Sequence, residues 1–305
     1  MRQSVLIAAA LAAVANLFWA ANAIVGKAAI ASLPAFTLSQ FRWSLAFVFL
    51  APFGIPRILR QRLWYRQNLL ALIALSVLSV TFYNTLQYWS LEYTEPVKVG
   101  AMLALMPLSI SIVSSVFGGR RQTLMEWVMS AVAVTGAMTV VTDGHPLQVF
   151  SGQSAGVGEV LMVLAITSWA LYSVLLKKMP HQAVDMIGLL TFFVGIGTLL
   201  ILPFWVFDIV TEPVFVPSGT LWWSVLFVAV FPSIVSFMCW NAAVKIGDAT
   251  IAGLMVTSAP LFNALLSIIF LHASISLAQW IGIAVVIVGV AGALLISRRT
   301  AAVSP

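Results

Sequence analysis

Charge is scarce in this chain: only 8% of its 305 residues are Asp, Glu, Lys or Arg, against roughly a quarter in soluble globular domains. So few charges cannot cover a water-exposed surface, and the 62% apolar content places the protein in a membrane. Cysteine is nearly absent as well. Cys239 stands alone inside an apolar run, so no disulfide forms within the chain and the redox compartment cannot be read from it. The three histidines, His145, His181 and His272, fall in connections or at the ends of apolar runs, and no acid lies near the middle of any run. Metal binding or acid–base catalysis needs His, Asp or Glu grouped within a cavity. No catalytic residue, metal site or cofactor is therefore expected, and the chain does not read as an enzyme.

Long apolar runs are what the chain has instead. A helix crosses the hydrocarbon layer in about 20 residues. Ten such runs appear, at 4–26, 35–53, 68–90, 96–117, 124–142, 156–176, 184–207, 219–242, 249–271 and 276–297. The basic residues orient them, because short cytoplasmic loops retain Lys and Arg. One side receives Arg2, Arg57, Arg60, Arg62, Arg66, Arg120, Arg121, Lys177, Lys178, Lys245, Arg298 and Arg299, which is twelve of fifteen. The other side keeps Lys27 and Lys98 with Glu92, Glu95, Asp143, Asp208 and Glu212. Both termini are then cytoplasmic, and the net charge of +6 is the sum of inner-loop anchors facing anionic lipid headgroups. No nucleic-acid partner is implied. Ala21-Asn22-Ala23 imitates a signal-peptidase site, but the repeat described next argues for retention of the first run as a transmembrane helix.

The two halves of the chain match in order. At a spacing near 150, Trp19 returns as Trp169, Lys27 as Lys177, Pro52 as Pro203 and Phe53 as Phe204. At 153, Glu95 pairs with Asp248, Gly100 with Gly253, Pro107 with Pro260, Phe117 with Phe270, Trp127 with Trp280 and Gly136 with Gly289. Residues 1–145 and 146–305 thus read as two homologous domains of five runs each. An odd number of crossings inverts the second half in the membrane, giving an all-α membrane protein of ten transmembrane helices in two inverted repeats. Secondary transporters are built this way, with the site between the halves.

Polar and aromatic residues inside the runs supply the candidate site. Asn16, Trp19 and Asn22 share roughly one face of the first helix. Tyr83, Asn84, Gln87, Tyr88 and Ser90 form a band on the third, Ser168, Trp169, Tyr172 and Ser173 on the sixth, and Ser233, Ser236, Trp240 and Asn241 on the eighth. Uncharged amides face away from lipid, so these bands look inward, either as hydrogen-bonding glue between helices or as the lining of a water-accessible cavity. Asn16, Trp19, Asn22, Tyr83, Asn84, Gln87, Trp169, Tyr172, Trp240 and Asn241 are the expected substrate-binding residues. Arg42 sits about seven residues into the second run with no acid in that run, so it needs a partner in the bundle or a substrate carboxylate. Pro107 and Pro260 fall mid-run at matching positions, where a proline removes a hydrogen bond and bends a helix, and are expected hinges. Gly100 and Gly253 permit close approach of backbones. Gly188, Gly195, Gly282 and Gly289 are read as packing positions.

Trp19, Asn22 and Lys27 at the end of the first helix carry a resemblance. So do Tyr93-Thr94-Glu95 leading through Gly100 to Pro107, and Ile246-Gly247-Asp248 leading through Gly253 to Pro260. Together they resemble EamA-type carriers of the drug/metabolite transporter superfamily, and within it the chain is similar to bacterial exporters of aromatic and other neutral amino acids. The resemblance implies an inner-membrane carrier with a central cavity lined by helices one, three, four, six, eight and nine, working by alternating access on small-molecule substrates such as amino acids; a monomer is expected, although nothing in the sequence fixes the oligomeric state. Importers, nucleotide-sugar carriers and multidrug pumps are the transport alternatives. Small multidrug pumps depend on a carboxylate in their first helix, which this chain lacks. A membrane-embedded enzyme is the alternative from another class. With acids only near the ends of runs, movement should follow the substrate gradient without proton coupling. The topology is testable in a chain freed of Cys239: a cysteine at 148 should react with an impermeant thiol reagent on intact cells, and one at 60 only after permeabilisation.

Overall fold

The computed structural model describes residues 2–30, 33–90, 93, 99, 102–117, 122–145, 156–179, 185–211, 219–247, 249–271 and 274–303. Ten helices make up the bundle: α1 (Arg2–Ile30), α2 (Ala35–Arg60), α3 (Leu69–Ser90), α4 (Met106–Val116), α5 (Leu124–Val141), α6 (Val157–Lys178), α7 (Met186–Thr211), α8 (Leu221–Ile246), α9 (Ala249–Phe270) and α10 (Leu277–Val303). Among the described residues nine of them are long and apolar enough to cross a membrane, α4 being the shorter one. A six-residue helix, Arg62–Gln67, joins α2 to α3. The expected second run stopped at 53, whereas α2 continues through Pro52 and Pro56 to Arg60. Arg57 and Arg60 occupy its last turn, where cations suit the helix dipole, and Arg57 Nη1 donates to Phe53 O at 2.6 Å.

Helix ends are closed by side chains, several of them borrowed. Thr123 and Glu126 form a capping box on α5, with Glu126 Oε2 accepting the Thr123 N–H at 2.8 Å. Asp185 accepts the N–H groups of Ile187 and Gly188 at the start of α7. Pro34 offers α2 no capping side chain; Asp208 of α7 takes that role, accepting the Thr37 N–H at 2.8 Å and its hydroxyl at 3.1 Å. At the end of α6, Lys177 donates to the carbonyls of Lys245 (2.7 Å) and Gly247 (2.8 Å), and Lys178 donates to that of Phe117. One pair of lysines therefore ties together the C-terminal ends of α4, α6 and α8.

The helices break at matching places. α3 widens to a π-helix over Val77–Phe82 and α8 over Ala229–Val235, the same region of each half at the 153-residue spacing. α9 tightens to a 3-10 turn at Val256–Ser258, and the helix resumes at Ala259. A turn at Ala104 and Leu105, closed by Leu105 N–H to Met102 O at 2.9 Å, precedes α4. Pro107 and Pro260 are each the second residue of the helical segment that follows the break. A proline there has no intrahelical partner to lose, so it starts a segment rather than bending a continuous one.

Packing repeats across the halves too. α1 runs along α8 and α9, and α6 along α3 and α4; α2 lies against α7, α4 against α9 and α5 against α10. Exchanging each helix for the one five places away reproduces the whole set, a pseudo-two-fold arrangement. Helices in lipid gain nothing from hiding apolar surface from one another, so close packing of small residues has to hold them. In the α5–α10 pair a Cβ on Gly136 would meet the Val286 nitrogen at 2.6 Å, and one on Gly289 the Ala133 nitrogen at 2.5 Å. α2 and α7 meet where Gly54 leaves room for Thr191 and Gly195 for Phe47. Gly289→Leu should therefore lower the melting temperature of detergent-purified protein, by about 2 kcal/mol of stability. Gly219→Ala, whose new Cβ meets nothing within 4 Å, should leave it unchanged.

Candidate functional site

Aromatic side chains from four helices converge where the halves meet. Trp19 of α1 and its repeat mate Trp169 of α6 touch edge to face, ring centroids 5.4 Å apart. Two-fold mates can touch only beside the axis, so this pair marks it. Trp169, 1% exposed, also meets Tyr83 of α3 at 4.7 Å, Tyr172 at 5.3 Å, and Phe237 and Trp240 of α8 at 5.3 and 5.4 Å. Each such pair adds roughly 0.5–1.5 kcal/mol beyond area burial.

The π segments lie against this cluster, and their carbonyls accept bonds from side chains. Trp19 Nε1 donates to Pro232 O at 3.0 Å in the α8 segment, and Ser168 Oγ donates to Leu78 O at 2.8 Å in the α3 segment. In both cases the first helix of one half supplies a donor to the break in the other. Within the segments, Asn84 Nδ2 donates to Ser79 O and Val80 O, both at 3.1 Å, and Ser233 Oγ donates to Val228 O at 2.8 Å. π distortions are frequent at functional sites because they redirect side chains and free backbone groups.

Arg42 of α2 reaches this place. It is 4% exposed and donates from Nε to Ser233 Oγ, from Nη1 to Tyr88 Oη at 3.4 Å and from Nη2 to Pro232 O at 3.5 Å. It also lies over the Trp43 ring, 4.7 Å from the centroid. The same Pro232 carbonyl thus serves both Trp19 and Arg42. Among the described residues no carboxylate pairs with Arg42; the ion pair there is Arg57 with Asp185 at 3.1 Å, at the other end of α2.

The expected site residues divide into two groups. Trp19, Tyr83, Trp169, Tyr172 and Trp240 are brought together in the cluster, and Asn22 on α1 leaves Oδ1 without a described partner. Asn16, Asn84 and Asn241 are engaged as glue, and Tyr172 and Trp240 of the cluster also take part in it. Asn16 Nδ2 donates to Met255 O at 2.5 Å in the break of α9, Asn84 serves its own helix, Asn241 Oδ1 accepts from Tyr172 Oη at 2.5 Å, and Trp240 Nε1 donates to Ser173 Oγ at 3.2 Å. Gln87 is half-buried on α3. Phe237 and Pro232 belong to the site but were not expected there. A proline in the middle of the eighth run was the available signal for Pro232. Glu92, Glu95, Lys98, Gly100 and Asp248 lie outside the described residues, as does the Lys27 side chain. A separate recess between α5, α9 and α10, lined by Gln122, Glu126, Ser130 and Thr250, has about 10 Å³ of room for the centre of a water molecule, too little for an organic solute.

Ten apolar helices packed as two like halves, with buried aromatic rings and breaks at their junction, define a small-molecule membrane carrier. The chain belongs to the EamA-like transporter family, which matches residues 6–142 and again 156–295. It is a multi-pass transporter and not an enzyme. It is 25% identical to the aromatic amino acid exporter YddG of Ancylobacter novellus over 218 residues, 71% of this chain and 73% of that one. The uncharacterized transporter YetK of Bacillus subtilis is 25% identical over 282 residues, 88% of this chain and 81% of its own. An uncharacterized transporter of Archaeoglobus fulgidus is 25% identical over 287 residues, covering 92% and 94%. A solved crystal structure shares the fold with a TM-score of 0.77, 21% identity, and coverage of 96% of this chain and 99% of that one.

Trp169 combines full burial with an indole Nε1 that lacks a described partner. Trp169→Ala should cost about 3–5 kcal/mol of stability by leaving a cavity. Trp169→Phe keeps most of the ring area and should cost about 1 kcal/mol or less. If Nε1 serves the substrate, this variant's half-saturation concentration should rise several-fold at unchanged melting temperature.

Proposed function

We propose that this transporter exports neutral amino acids, aromatic or otherwise hydrophobic, and related metabolites across the inner membrane by alternating access. Supporting this reading is the aromatic cluster on the pseudo-two-fold axis, with hydrogen-bonding atoms that have no partner among the described residues: Trp169 Nε1 and Asn241 Nδ2 in the cluster and its surroundings, and Asn22 Oδ1 one turn along α1 from Trp19. Such a lining suits a solute with an apolar body and a polar head. The similarity to an aromatic amino acid exporter agrees with it. Metabolites such as nucleotide sugars would need several cations for their phosphates, and among the described residues Arg42 is the one at hand here.

The working cycle in this reading is a rocking of residues 1–145 against 146–305, two inverted repeats, about the Trp19–Trp169 contact. The breaks before Pro107 and Pro260 absorb the change in backbone angle. Both termini face the cytoplasm, the chain acts as a monomer, and the aromatic rings part to admit substrate between them. Because the rings are packed together here, the structure corresponds to a state with the substrate space closed at this level. Acids that serve as caps, such as Glu126 on Thr123 and Glu159 on the Gly156 N–H, have structural duties already. Movement is thus taken to be gradient-following.

Counterflow in proteoliposomes tests both parts. Vesicles preloaded with unlabelled L-phenylalanine, L-tryptophan or L-leucine should take up the labelled form transiently, and an imposed pH gradient without preloading should cause no accumulation. Failure of every neutral amino acid to exchange would remove the reading, while uphill uptake driven by pH and lost in Glu159→Gln would replace gradient-following movement by proton coupling.

A further inference from the structure

Arg42 is a buried cation whose described partners are all neutral. Seven residues into α2, it lies on the order of 10 Å from the helix start, well below the headgroups. A guanidinium in that position is costly unless it meets a negative charge or a water-filled path. Its three contacts differ in kind. Nε is held by Ser233, which is itself fixed by its bond to Val228 O at 2.8 Å, so the plane of the group is oriented from the α8 π segment. Nη1 and Nη2, by contrast, reach Tyr88 and Pro232 O only at 3.4 and 3.5 Å, the outer limit of a hydrogen bond. The far edge of the fork, with its two parallel N–H groups, is oriented and weakly engaged. That edge is complementary to one chemical group, a planar anion able to accept two bonds side by side.

The surroundings narrow the anion to one attached to an apolar body. Trp19 shares the Pro232 carbonyl with Arg42, so the indole begins where the guanidinium ends, and the same indole packs edge to face on Trp169 at 5.4 Å. A molecule gripped at its charged end by Arg42 lies with its body towards this aromatic face. On α1, one turn from Trp19, Asn22 Oδ1 has no partner among the described residues and can accept from an ammonium group. Among the described residues Arg42 is the cation at this cluster, which fits a monoanionic head.

We propose that Arg42 is the carboxylate-recognising residue of the transport site, and that a free carboxylate on the substrate is required for transport. This rests on the amino-acid reading for the identity of the substrate, although the demand for a carboxylate follows from Arg42 itself. The consequence is selectivity by head group. Amides, esters and decarboxylated amines of a transported amino acid place a neutral group, or none, against the guanidinium and leave the buried charge unanswered. Cationic drugs add repulsion.

Competition in the counterflow assay separates these ideas. L-phenylalanine, phenylalaninamide, phenylethylamine and 3-phenylpropionate would each be tested against labelled L-phenylalanine and, separately, labelled 3-phenylpropionate. Phenylalaninamide and phenylethylamine should compete about tenfold or more weakly than phenylalanine. Arg42→Gln should reduce transport of the acids at least tenfold, Arg42→Lys should restore part of it, and the ratio of phenylalanine to phenylalaninamide affinity should collapse towards one in Arg42→Gln. That ratio is independent of how much protein folds, so a destabilised variant still reports on it. Equal competition by acid and amide, or an unchanged ratio in Arg42→Gln, overturns the role of Arg42 while leaving amino-acid export standing. Exchange of 3-phenylpropionate without exchange of any amino acid removes the amino-acid reading and supports Arg42. No carboxylate exchanging at all removes both.

Discussion

A bilayer offers no water to an unpaired peptide group, and that constraint governs the rest of this structure. Every departure from regular helix has to be answered from within the bundle. Hydroxyls answer many small ones: Ser76, Ser79, Ser111, Thr142, Thr191 and Thr198 each return a bond to the carbonyl four residues back. Larger departures, the π segments of α3 and α8, are answered by side chains from elsewhere. Because the same medium gives helices no hydrophobic reason to associate, contact is made by glycines that bring backbones within touching distance. Close packing and captured carbonyls are two responses to one solvent.

Those captured carbonyls also connect the halves. Trp19 bonds into the α8 break and Ser168 into the α3 break, so neither segment can return to ordinary helical register without releasing a bond to the opposite half. The breaks are thereby local in sequence and shared in energy. The aromatic cluster sits on top of this pair of bonds. Pro232, which has no N–H to offer its own helix, contributes the carbonyl where Trp19 and Arg42 meet.

Much of this could be read from the residues in order. Apolar length set the spans, and the ten ordered matches set the pairing of Trp19 with Trp169, which the structure places in contact. Aromatic positions on faces of α1, α3, α6 and α8 were legible because they share those faces with uncharged polar residues, which have to point away from lipid. The amides were harder. Asn16 and Asn84 occupy the faces their spacing gave them, but a helical wheel carries no knowledge of the neighbour, and their partners are the break in α9 and the π carbonyls of α3. A wheel also assumes 3.6 residues per turn, which fails across Val77–Phe82 and Ala229–Val235. Phe237, three residues before Trp240 in the regular helix past the second of these, was missed because the expected site was drawn from polar side chains and from rings that carry a polar group.

The contact between Trp19 and Trp169 places every nearby side chain opposite its counterpart in the other half. At the spacing of about 150 the counterpart of Arg42 is Phe192 or Phe193, a phenylalanine in either register. An assembly of two identical half-length subunits could not have this. It would carry an arginine on both sides of the axis or on neither, and a bound molecule would have two equivalent ways to lie. Two halves within one chain can differ at such a position, and here a charge in one half answers to an aromatic ring in the other. The pseudo-two-fold axis relates the backbones of the halves without relating the charge they carry.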